Sequence, residues 1–407
     1  MTRQSSALAT TVMSEGFFAN DPDPAATMRS LRDEAQVAWS GGVEGIDGAG
    51  TTGGFWVTGS HQLIQQIEVD TGTWSSASGI LVFEIDNPYD SPPTMMHTDP
   101  PDHTRYRSLL QPAFRPSLMR RLEAHMADIV NEHLDAIDAL GAGDEGVDIV
   151  EHLTVPFPLL VICELLGLPI ERWRDAYRWS EASVPGASDM TAEERAAVQG
   201  EMVNELIAAV AAKANNPGDD VFSILAEAGL TEFEIAMFGV QLLTAGNETT
   251  RNSLSGGLWA LANNPDQYAA LRADPSLAGS ATEEILRYTS AVIYFMRTAT
   301  RDVMLGDTAI AAGDPMVLHY LMANRDPATF SDPDTFDITR SPNPHLAFGH
   351  GPHFCIGAAL ARLEIAVALR ALTARYASIE PLGDIVRTRS NIIAGYTSAS
   401  MRLTPVG

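Results

Sequence analysis

Cys355 is the residue whose surroundings point most directly to chemistry. It lies in the segment 348–357, where two glycines and a proline precede it, and just before an Ala- and Leu-rich run, 356–372, that is typical of a helix. Glycine and proline allow a loop to wrap tightly around a sulfur. The free N–H groups and the positive dipole end of the helix are expected to lower the pKa of the thiol. The pattern predicts a thiolate bound to a metal rather than half of a disulfide.

The same segment carries six residues of defined type at fixed spacing, and with them the chain resembles the cytochrome P450 family. The matching residues are Phe348, Gly349, Gly351, His353, Cys355 and Gly357. The resemblance implies that Cys355 is the thiolate ligand of a haem iron and that the rest of the loop contacts the haem. Such a thiolate pushes electron density toward bound dioxygen and favours O–O cleavage. The alternative is a buried thiol at a helix start, which is common for a lone cysteine.

A long helix is predicted from residue 231 to about 263, opened by a threonine and a glutamate at capping-box spacing. Its centre contains Gly246 and Thr249. An interior glycine costs about 1 kcal/mol relative to alanine, and a threonine hydroxyl can bond back to the carbonyl one turn earlier. Together they predict a local opening of the helix. The alternative is a simple kink beside a solvated glutamate.

The resemblance gives this stretch the role of an oxygen-binding groove. It implies that Thr249 holds a water or oxygen species, that Glu248 relays protons from solvent, and that Gly246 leaves room for dioxygen. Oxygen activation needs proton delivery by positioned groups. The presence of both acid and alcohol favours true oxygen activation over the peroxide-driven relatives, which tend to lack the pair.

Glu284 and Arg287 are spaced i,i+3, which places them on one helix face. Alone, such a pair is most often a surface ion pair that contributes little stability. The resemblance implies instead a buried Glu-x-x-Arg pair that binds Arg340 and locks the haem-ligand loop. Removing one partner of a buried pair costs about 3–5 kcal/mol, so loss of haem is expected from such a mutation.

A haem carries two propionates that need cations. His103 and Arg107 are spaced i,i+4 behind a proline-rich helix start, and alone they are compatible with two exposed helix residues. The resemblance implies that they bind the propionates together with Arg297 and His353. The sequence lacks the Cys-x-x-Cys-His attachment motif, so the expected cofactor is non-covalent haem b, iron protoporphyrin IX.

The substrate positions implied by the resemblance are mostly apolar and include no cation that could hold a fatty carboxylate near the iron. They are Phe83, Ile85, Leu243, Ala245, Ile293, Phe295 and Ile393. The alternative is that these residues are simply core. Their number favours a hydrophobic substrate held by shape. The runs 245–253 and 343–346 resemble the bacterial branch that oxidises sterols, branched lipids and terpenoids, which favours hydroxylation of such a molecule.

Composition sets the wider frame. The 407 residues are 45% hydrophobic and 19% charged, with a net charge of −26. We expect one domain, 1–407, because no linker is visible. The two cysteines lie far apart, which indicates a reducing compartment, with Cys163 as a core thiol. Without a signal pattern or a membrane-length apolar run we expect a cytoplasmic protein with no membrane anchor. The charge disfavours nucleic acid.

The elements that must position these residues are mainly helical. Residues 1–55 look turn-rich, 70–98 irregular, and 326–347 an ordered meander. The periodic segments are a strand at 55–57, a helix at 60–68, helices from 102 to 264, a helix at 281–288, a small sheet within 293–310 and short strands within 377–405. The sum is a mainly α fold with a minor β part. The resemblance, which spans about 55–401 with four motifs in order, implies the cytochrome P450 fold.

The resemblance also implies partners. The chain has no flavin or iron–sulfur domain, so electrons are expected from a ferredoxin served by an NAD(P)H-dependent ferredoxin reductase. Ferredoxins are acidic, as this chain is, so docking requires a local basic patch or else weakly charged contacts. The patch candidates are Arg115, Arg120, Arg121 and Arg362.

Two other readings stay open. One is a haem-thiolate enzyme that catalyses coupling, dehydrogenation or peroxygenation in a biosynthetic pathway. The other is a non-catalytic haem protein such as a gas sensor, which leaves the Glu248–Thr249 pair without a role. Oxygen insertion into product would discriminate hydroxylation from coupling.

Overall fold

The computed structural model describes residues 3–44, 51–86, 94–141, 146–184, 188–213 and 216–407. Part of the predicted substrate loop, 87–93, lies outside these ranges. Within them the helices are α1 (Ala7–Val12), α2 (Phe17–Asn20), α3 (Pro24–Glu34), α4 (His61–Val69), α5 (Asp102–Leu110), α6 (Pro116–Leu140), α7 (Pro156–Leu166), α8 (Trp173–Ser183), α9 (Ala192–Lys213), α10 (Val221–Glu227), α11 (Glu232–Asn263), α12 (Pro265–Ala273), α13 (Ala278–Thr289), α14 (Tyr320–Ala323) and α15 (Ala358–Arg375).

The strands are short and gathered into small sheets. They are β1 (Val37–Ser40), β2 (Phe55–Thr58), β3 (Trp74–Ser75), β4 (Val147–Asp148), β5 (Tyr294–Ala299), β6 (Val303–Leu305), β7 (Thr308–Ile310), β8 (Pro315–His319), β9 (Tyr376–Pro381), β10 (Val386–Arg387), β11 (Tyr396–Ser398) and β12 (Ser400–Pro405). The predicted mainly α fold with a minor β part is confirmed.

Helix α11 is the central element, and its boundaries follow from the sequence. The Thr231 hydroxyl accepts from the Glu234 N–H, and the Glu234 carboxylate accepts from the Thr231 N–H, so the predicted capping box is present. The helix ends before Pro265. It packs against α7, α8, α9, α13 and α15. It continues without interruption through residues 245–250, so the predicted local opening is not present as a break in the helix.

The five-stranded sheet has the order β1-β2-β8-β5-β3. Strand β2 runs parallel to β8, and the other neighbours are antiparallel. In β5, Arg297 lies opposite Met316 of β8, and this register fixes the position of the Arg297 side chain along the strand. A second sheet, β4-β12-β9, joins the tail of the chain to the segment before α7.

The core consists of one large apolar cluster among the helices and a smaller one between the five-stranded sheet and α4. Cys163 lies in the larger cluster and is fully buried, and burial raises the pKa of its thiol to about 12. This matches the predicted core thiol. In the described part of the chain, no helix has a stretch apolar and long enough to span a bilayer.

The expectation that residues 1–55 are turn-rich is wrong for much of that segment. It contains α1, α3 and β1. Helix α3 has a recognisable start, because Asp23 caps it and Pro24 occupies its first turn. Its buried side is only Met28 and Leu31. Helices this short show too few apolar repeats for periodicity to be visible.

Candidate active site

The segment around Cys355 forms a tight loop against α4. The Cys355 N–H donates to the Phe348 carbonyl at 2.9 Å. Gly349 and Gly351 have φ of 67° and 66°, in the left-handed region that favours glycine. A Cβ on Gly351 would lie 2.4 Å from the backbone oxygen of Glu68 on α4, too close for any side chain. The glycines are therefore required both for the turn and for the contact with α4.

Protein atoms surround the Cys355 sulfur, yet the side chain retains accessible surface. Burial raises the pKa of the Cys355 thiol, while the Gly357 N–H, Arg107 and Arg362 act in the lowering direction without outweighing it. The Gly357 N–H at the helix start thus acts in the expected lowering direction, but burial outweighs it. A bound metal cation deprotonates a coordinating thiol outright.

The four predicted propionate ligands lie together. The rings of His103 and His353 are 4.1 Å apart between centroids. Burial, followed by Arg297, His103 and Arg107, lowers the pKa of His353 to about 2. Burial and Arg107 likewise lower the pKa of His103. We call His103, Arg107, Arg297 and His353 the cation cluster.

The cation cluster has the properties of a site for anions. The His103 Nδ1 atom is buried and has no hydrogen-bond partner among the described residues. Burial, together with the cationic arginines beside them, favours the neutral form of both histidines. Carboxylates placed here would pair with the guanidiniums and accept from the imidazoles. The cluster and the loop of Cys355 therefore fit a haem with two propionates.

Glu284 and Arg287 form a buried pair on α13, and both side chains have 0% exposure. Arg287 donates to the two oxygens of Glu284, each at 2.8 Å, and to three backbone carbonyls, two of them in the meander. Arg340 of the meander donates to the same carboxylate at 3.2 and 3.3 Å. The structure therefore brings together the three residues that the sequence grouped. The carboxylate also accepts from the Asp337 N–H and from Asn343.

Glu248 is buried and enclosed by polar neighbours. Its Oε1 accepts from Ser180 of α8 at 3.2 Å and from Asn247 at 3.0 Å, and its Oε2 lies 2.7 Å from Arg251. Arg251 also donates to Glu181 of α8 at 2.9 Å. The expected open path from Glu248 to solvent is thus filled by a second ion pair. A solvated glutamate, the alternative interpretation, is excluded by this burial.

One arginine serves two carboxylates in this group. Burial raises the pKa of Glu181 to about 7, and the nearby Glu248 acts in the same direction while Arg251 opposes both. Burial lowers the pKa of Arg251, but the two carboxylates outweigh it and raise that pKa overall. The Arg251 Nε has no partner among the described residues. We call Glu181, Glu248 and Arg251 the α8–α11 ion group.

Thr249 and Gly246 face different surroundings. The Thr249 hydroxyl donates to the Ala245 carbonyl at 2.7 Å, as the sequence predicts. Ala245 is exposed on a helix whose neighbouring residues are mostly buried, so open space adjoins this turn. A Cβ on Gly246 would lie 2.8 Å from the Ile162 Cδ1 on α7. A side chain at position 246 would therefore crowd Ile162 of α7, and Ala245 is a small residue that borders the open space. The room for dioxygen at Gly246 stays a prediction.

Helix α11 reaches the helix that follows Cys355. Thr250 donates to Glu364 of α15 at 3.2 Å. Glu364 is fully buried, and burial raises the pKa of its carboxyl to about 8. Residues 245–250 are therefore held next to α15, close to where that helix begins.

The predicted substrate positions separate into two groups. Phe83, Ile85 and Ala245 keep accessible surface, whereas Leu243, Ile293 and Ile393 are buried in the large apolar cluster. Phe295 packs against Tyr320 and belongs to the cluster between the sheet and α4. For the buried positions the structure favours the core interpretation.

The predicted basic patch contains three arginines with acidic partners. Arg115 and Arg121 share one partner, Asp219, at 3.2 and 3.0 Å. Arg362 is held by Glu283 through contacts of 2.6 and 2.9 Å. Arg120 takes part in none of the described ion pairs. The two acids reduce the positive charge of the four arginines but do not cancel it, so the local basic patch stays a prediction.

Comparisons with known proteins agree with this geometry. The family model "Cytochrome P450" matches residues 188–391. Linalool 8-monooxygenase of Pseudomonas putida is 34% identical over 394 residues, covering 92% of this chain and 94% of that protein. Steroid C26-monooxygenase of Mycolicibacterium smegmatis is 32% identical over 402 residues, covering 94% and 91%.

A solved structure matches nearly the whole chain. Cytochrome P450 CYP268A2 of Mycobacterium marinum, in complex with pseudoionone, has a TM-score of 0.88 and 31% identity and covers 98% of this chain and 99% of that one. The chain belongs to the cytochrome P450 family, with bacterial relatives, and is an oxidoreductase of the monooxygenase class.

Sequence reasoning missed several polar and charged residues that are largely buried. They are Glu68, Ser180, Glu181, Arg251 and Glu364. One of them carried a visible signal, because Arg251 follows Glu248 at the same i,i+3 spacing as Arg287 follows Glu284. The others become partners only through tertiary contacts.

Proposed function

We propose that this chain hydroxylates a hydrophobic small molecule, a terpenoid, steroid or branched lipid, with O2 and electrons from a ferredoxin that an NAD(P)H-dependent reductase reduces. The observation that carries the proposal is the open space at Ala245 and Thr249, on a helix that touches α15 through Thr250 and Glu364. The substrate class is supported by the relatives that act on linalool and a steroid and by the complex with pseudoionone.

The cofactor proposed for the site is non-covalent haem b. Cys355 would be the iron ligand, with Phe348, Gly349 and Gly357 shaping its loop, and the cation cluster would hold the propionates. When bound, the haem supplies the activation of dioxygen, and the protein supplies binding, orientation and proton delivery. Gly357 contributes a backbone N–H toward the sulfur, which favours its charged form.

Proton delivery is proposed for Thr249 and the α8–α11 ion group. The Thr249 hydroxyl already donates to the Ala245 carbonyl, so its oxygen is oriented to accept a hydrogen bond from a water in the open space. Glu248 has both oxygens engaged. It can carry a proton toward the groove only if Arg251 shifts toward Glu181, which offers the guanidinium a second carboxylate.

Electron transfer is proposed to rely on a weakly charged docking surface. Arg362, which lies near the cysteine loop, has an acidic partner within the chain, Glu283. Steering by opposite charge is then weak, and association should depend little on ionic strength. The rate of haem reduction by a ferredoxin, measured against salt concentration, tests this point.

A titration of the ferric protein tests the substrate class. Linalool, a steroid and a straight-chain fatty acid are added separately while the Soret band is recorded, and products formed under ¹⁸O2 are then analysed. We expect a blue shift with the terpenoid or the steroid and one labelled oxygen in the product. A shift with the fatty acid alone, or an unlabelled coupled product, would contradict the proposal.

Cys355→Ala tests the iron ligand. The reduced carbonyl complex of the variant should lose the thiolate-type absorption that the parent protein shows. The matched control is Cys163→Ala, which removes a core thiol in α7 and should keep that absorption. A thiolate-type spectrum in Cys355→Ala would mean that another residue binds the iron.

A further inference from the structure

One buried carboxyl lies directly behind the cation cluster. The Glu68 side chain is 1% exposed, and its Oε1 lies 3.9 Å from the Arg297 Nη2. The Tyr320 hydroxyl donates to the same oxygen at 2.7 Å. The second oxygen, Oε2, is buried without a hydrogen-bond partner of normal geometry among the described residues. Neither the sequence nor the proposed function gives this group a role.

Glu68 also supports the loop that holds Cys355. A Cβ on Gly349 would lie 3.1 Å from the Glu68 Oε1, and one on Gly351 would lie 2.4 Å from the Glu68 backbone oxygen. The His350 backbone N–H also faces the carboxyl. A single residue of α4 therefore contacts both the cysteine loop and one arginine of the cation cluster.

The charge on Glu68 is finely balanced. Burial raises the pKa of its carboxyl to about 7, while Arg297, Tyr320 and the His350 N–H act in the opposite direction. Arg297 has the largest effect among the groups that lower the pKa of Glu68. The other titratable groups that face the cluster are His103, His353, Arg107 and Asp99.

A propionate would change this balance in one direction. It is a second carboxylate that competes for Arg297, and its own negative charge faces Glu68. Both effects disfavour the charged form of the Glu68 carboxyl. The free Oε2 is the atom that can accept a proton, since Oε1 already accepts from Tyr320.

We propose that Glu68 is a positioning residue of the haem site: it pairs with Arg297 in the haem-free protein and takes up one proton from solvent, on Oε2, when a haem propionate replaces it as the partner of Arg297. One carboxylate is thereby exchanged for another at a single guanidinium, and the proton keeps the local charge unchanged. The inference rests on the proposed haem site.

The sign of the resulting pH dependence is defined. The haem-bound protein holds the proton more tightly than the haem-free one, whose Glu68 pKa is about 7. Haem affinity is therefore constant below about pH 7 and falls above it, by up to about tenfold per pH unit for one proton. His103 and His353 can also gain protons when a propionate binds. The contribution of Glu68 is therefore the difference between the parent protein and Glu68→Gln, which resembles the neutral acid.

The experiment partitions haem between this protein and an apomyoglobin scavenger of known haem affinity, at pH 6 to 9. Glu68→Gln should bind haem as tightly as the parent at pH 6 and more tightly at pH 9, with a shallower pH profile. In infrared difference spectra between the haem-bound and haem-free states, protonated-carboxyl absorption should appear on haem binding to the parent and not on haem binding to Glu68→Gln. The carboxyls of Glu181 and Glu364 are present in both states and cancel in this difference. The matched control is Glu364→Gln, which removes a buried carboxyl that is in no described ion pair and should leave the pH profile unchanged.

Other results would contradict either the inference or the proposed function. If Glu68→Gln has the parent's pH profile, or binds haem more than tenfold more weakly at every pH, the carboxyl stays ionised in the haem-bound protein and the inference is overturned. If the parent binds no haem with a thiolate-type spectrum, the proposed function fails with it. Tyr320→Phe gives a second route, because loss of its hydrogen bond favours the protonated acid and should weaken the pH dependence above pH 7.

Discussion

Two buried Glu-x-x-Arg pairs occur in this molecule with identical spacing and opposite character. On α13, Arg287 has every N–H directed at an acceptor, and Glu284 has a second arginine. On α11, one arginine serves two carboxylates and its Nε lacks a partner in the described structure. The first group is fully hydrogen-bonded and holds two cations on one carboxylate, whereas the second holds two carboxylates on one cation. Spacing alone therefore identifies a buried pair but not whether it locks the fold or can change its protonation.

The largest effect is expected for Glu284→Ala. It leaves two arginines facing each other without their shared carboxylate, which costs about 3–5 kcal/mol of unfolding free energy and releases haem. Denaturant titration and haem content measure this. The matched control is Glu283→Ala, one residue earlier on α13. Glu283 is partly exposed and its partner Arg362 is too, so this variant should cost less than Glu284→Ala. Equal costs at both positions would contradict the special role of the fully buried pair.

Arg251→Met should be the next largest, and its cost should depend on pH. Glu248 and Glu181 lose their cation and face each other in a buried space. At pH 8 we expect a loss of about 3 kcal/mol of unfolding free energy, and clearly less at pH 5, because the acids can then protonate. Denaturation at the two pH values gives the result. Arg287→Met is the comparison, and a similar pH dependence there would remove the distinction between the pairs.

Glu181→Gln should give a smaller effect with a defined sign. The folded-state pKa of Glu181 is raised to about 7 from an ordinary 4.5. Because the folded protein holds the proton of Glu181 more tightly than the unfolded chain does, the protonated acid contributes its full stabilisation below about pH 4.5. This contribution is lost as the pH rises to about 7. The variant lacks this loss, so its unfolding free energy should improve relative to the parent by about 1–3 kcal/mol between those values. A difference that stays constant with pH would show that Glu181 is already ionised at low pH.

Thr249→Ala should have the smallest effect on stability. It removes one hydroxyl bond to the Ala245 carbonyl, worth about 1 kcal/mol or less. The expected change is in coupling: less product per NAD(P)H consumed and more hydrogen peroxide released. Thr250→Val is the matched control, since that hydroxyl faces Glu364 on α15 and not the open space. Unchanged coupling in Thr249→Ala would remove this hydroxyl from proton delivery.

The sequence predicted the parts of the molecule whose signals are local. The capping box at Thr231, the glycines around Cys355 and the Glu284–Arg287 spacing all report conformations set within a few residues. The grouping of the cation cluster and of Arg340 with Glu284 came from the family resemblance, because those residues lie far apart in the chain. The prediction of the fold also came from this resemblance.

The features that the sequence did not predict depend on contacts between residues far apart in the chain. Asp219, about a hundred positions later, pairs with both Arg115 and Arg121, and Glu283 pairs with Arg362. Ile162 of α7 lies close to Gly246 of α11. Local spacing cannot reveal such partners.

The contact of Gly351 with the Glu68 backbone also bears on how the protein is made. Helix α4 leaves the ribosome long before the cysteine loop is synthesised, and the loop has its tight turn only against that helix. Arg297 and Tyr320 are likewise translated between the two. The haem pocket therefore cannot form on a nascent chain that has not reached α15, and loading with cofactor must follow translation of nearly the whole polypeptide.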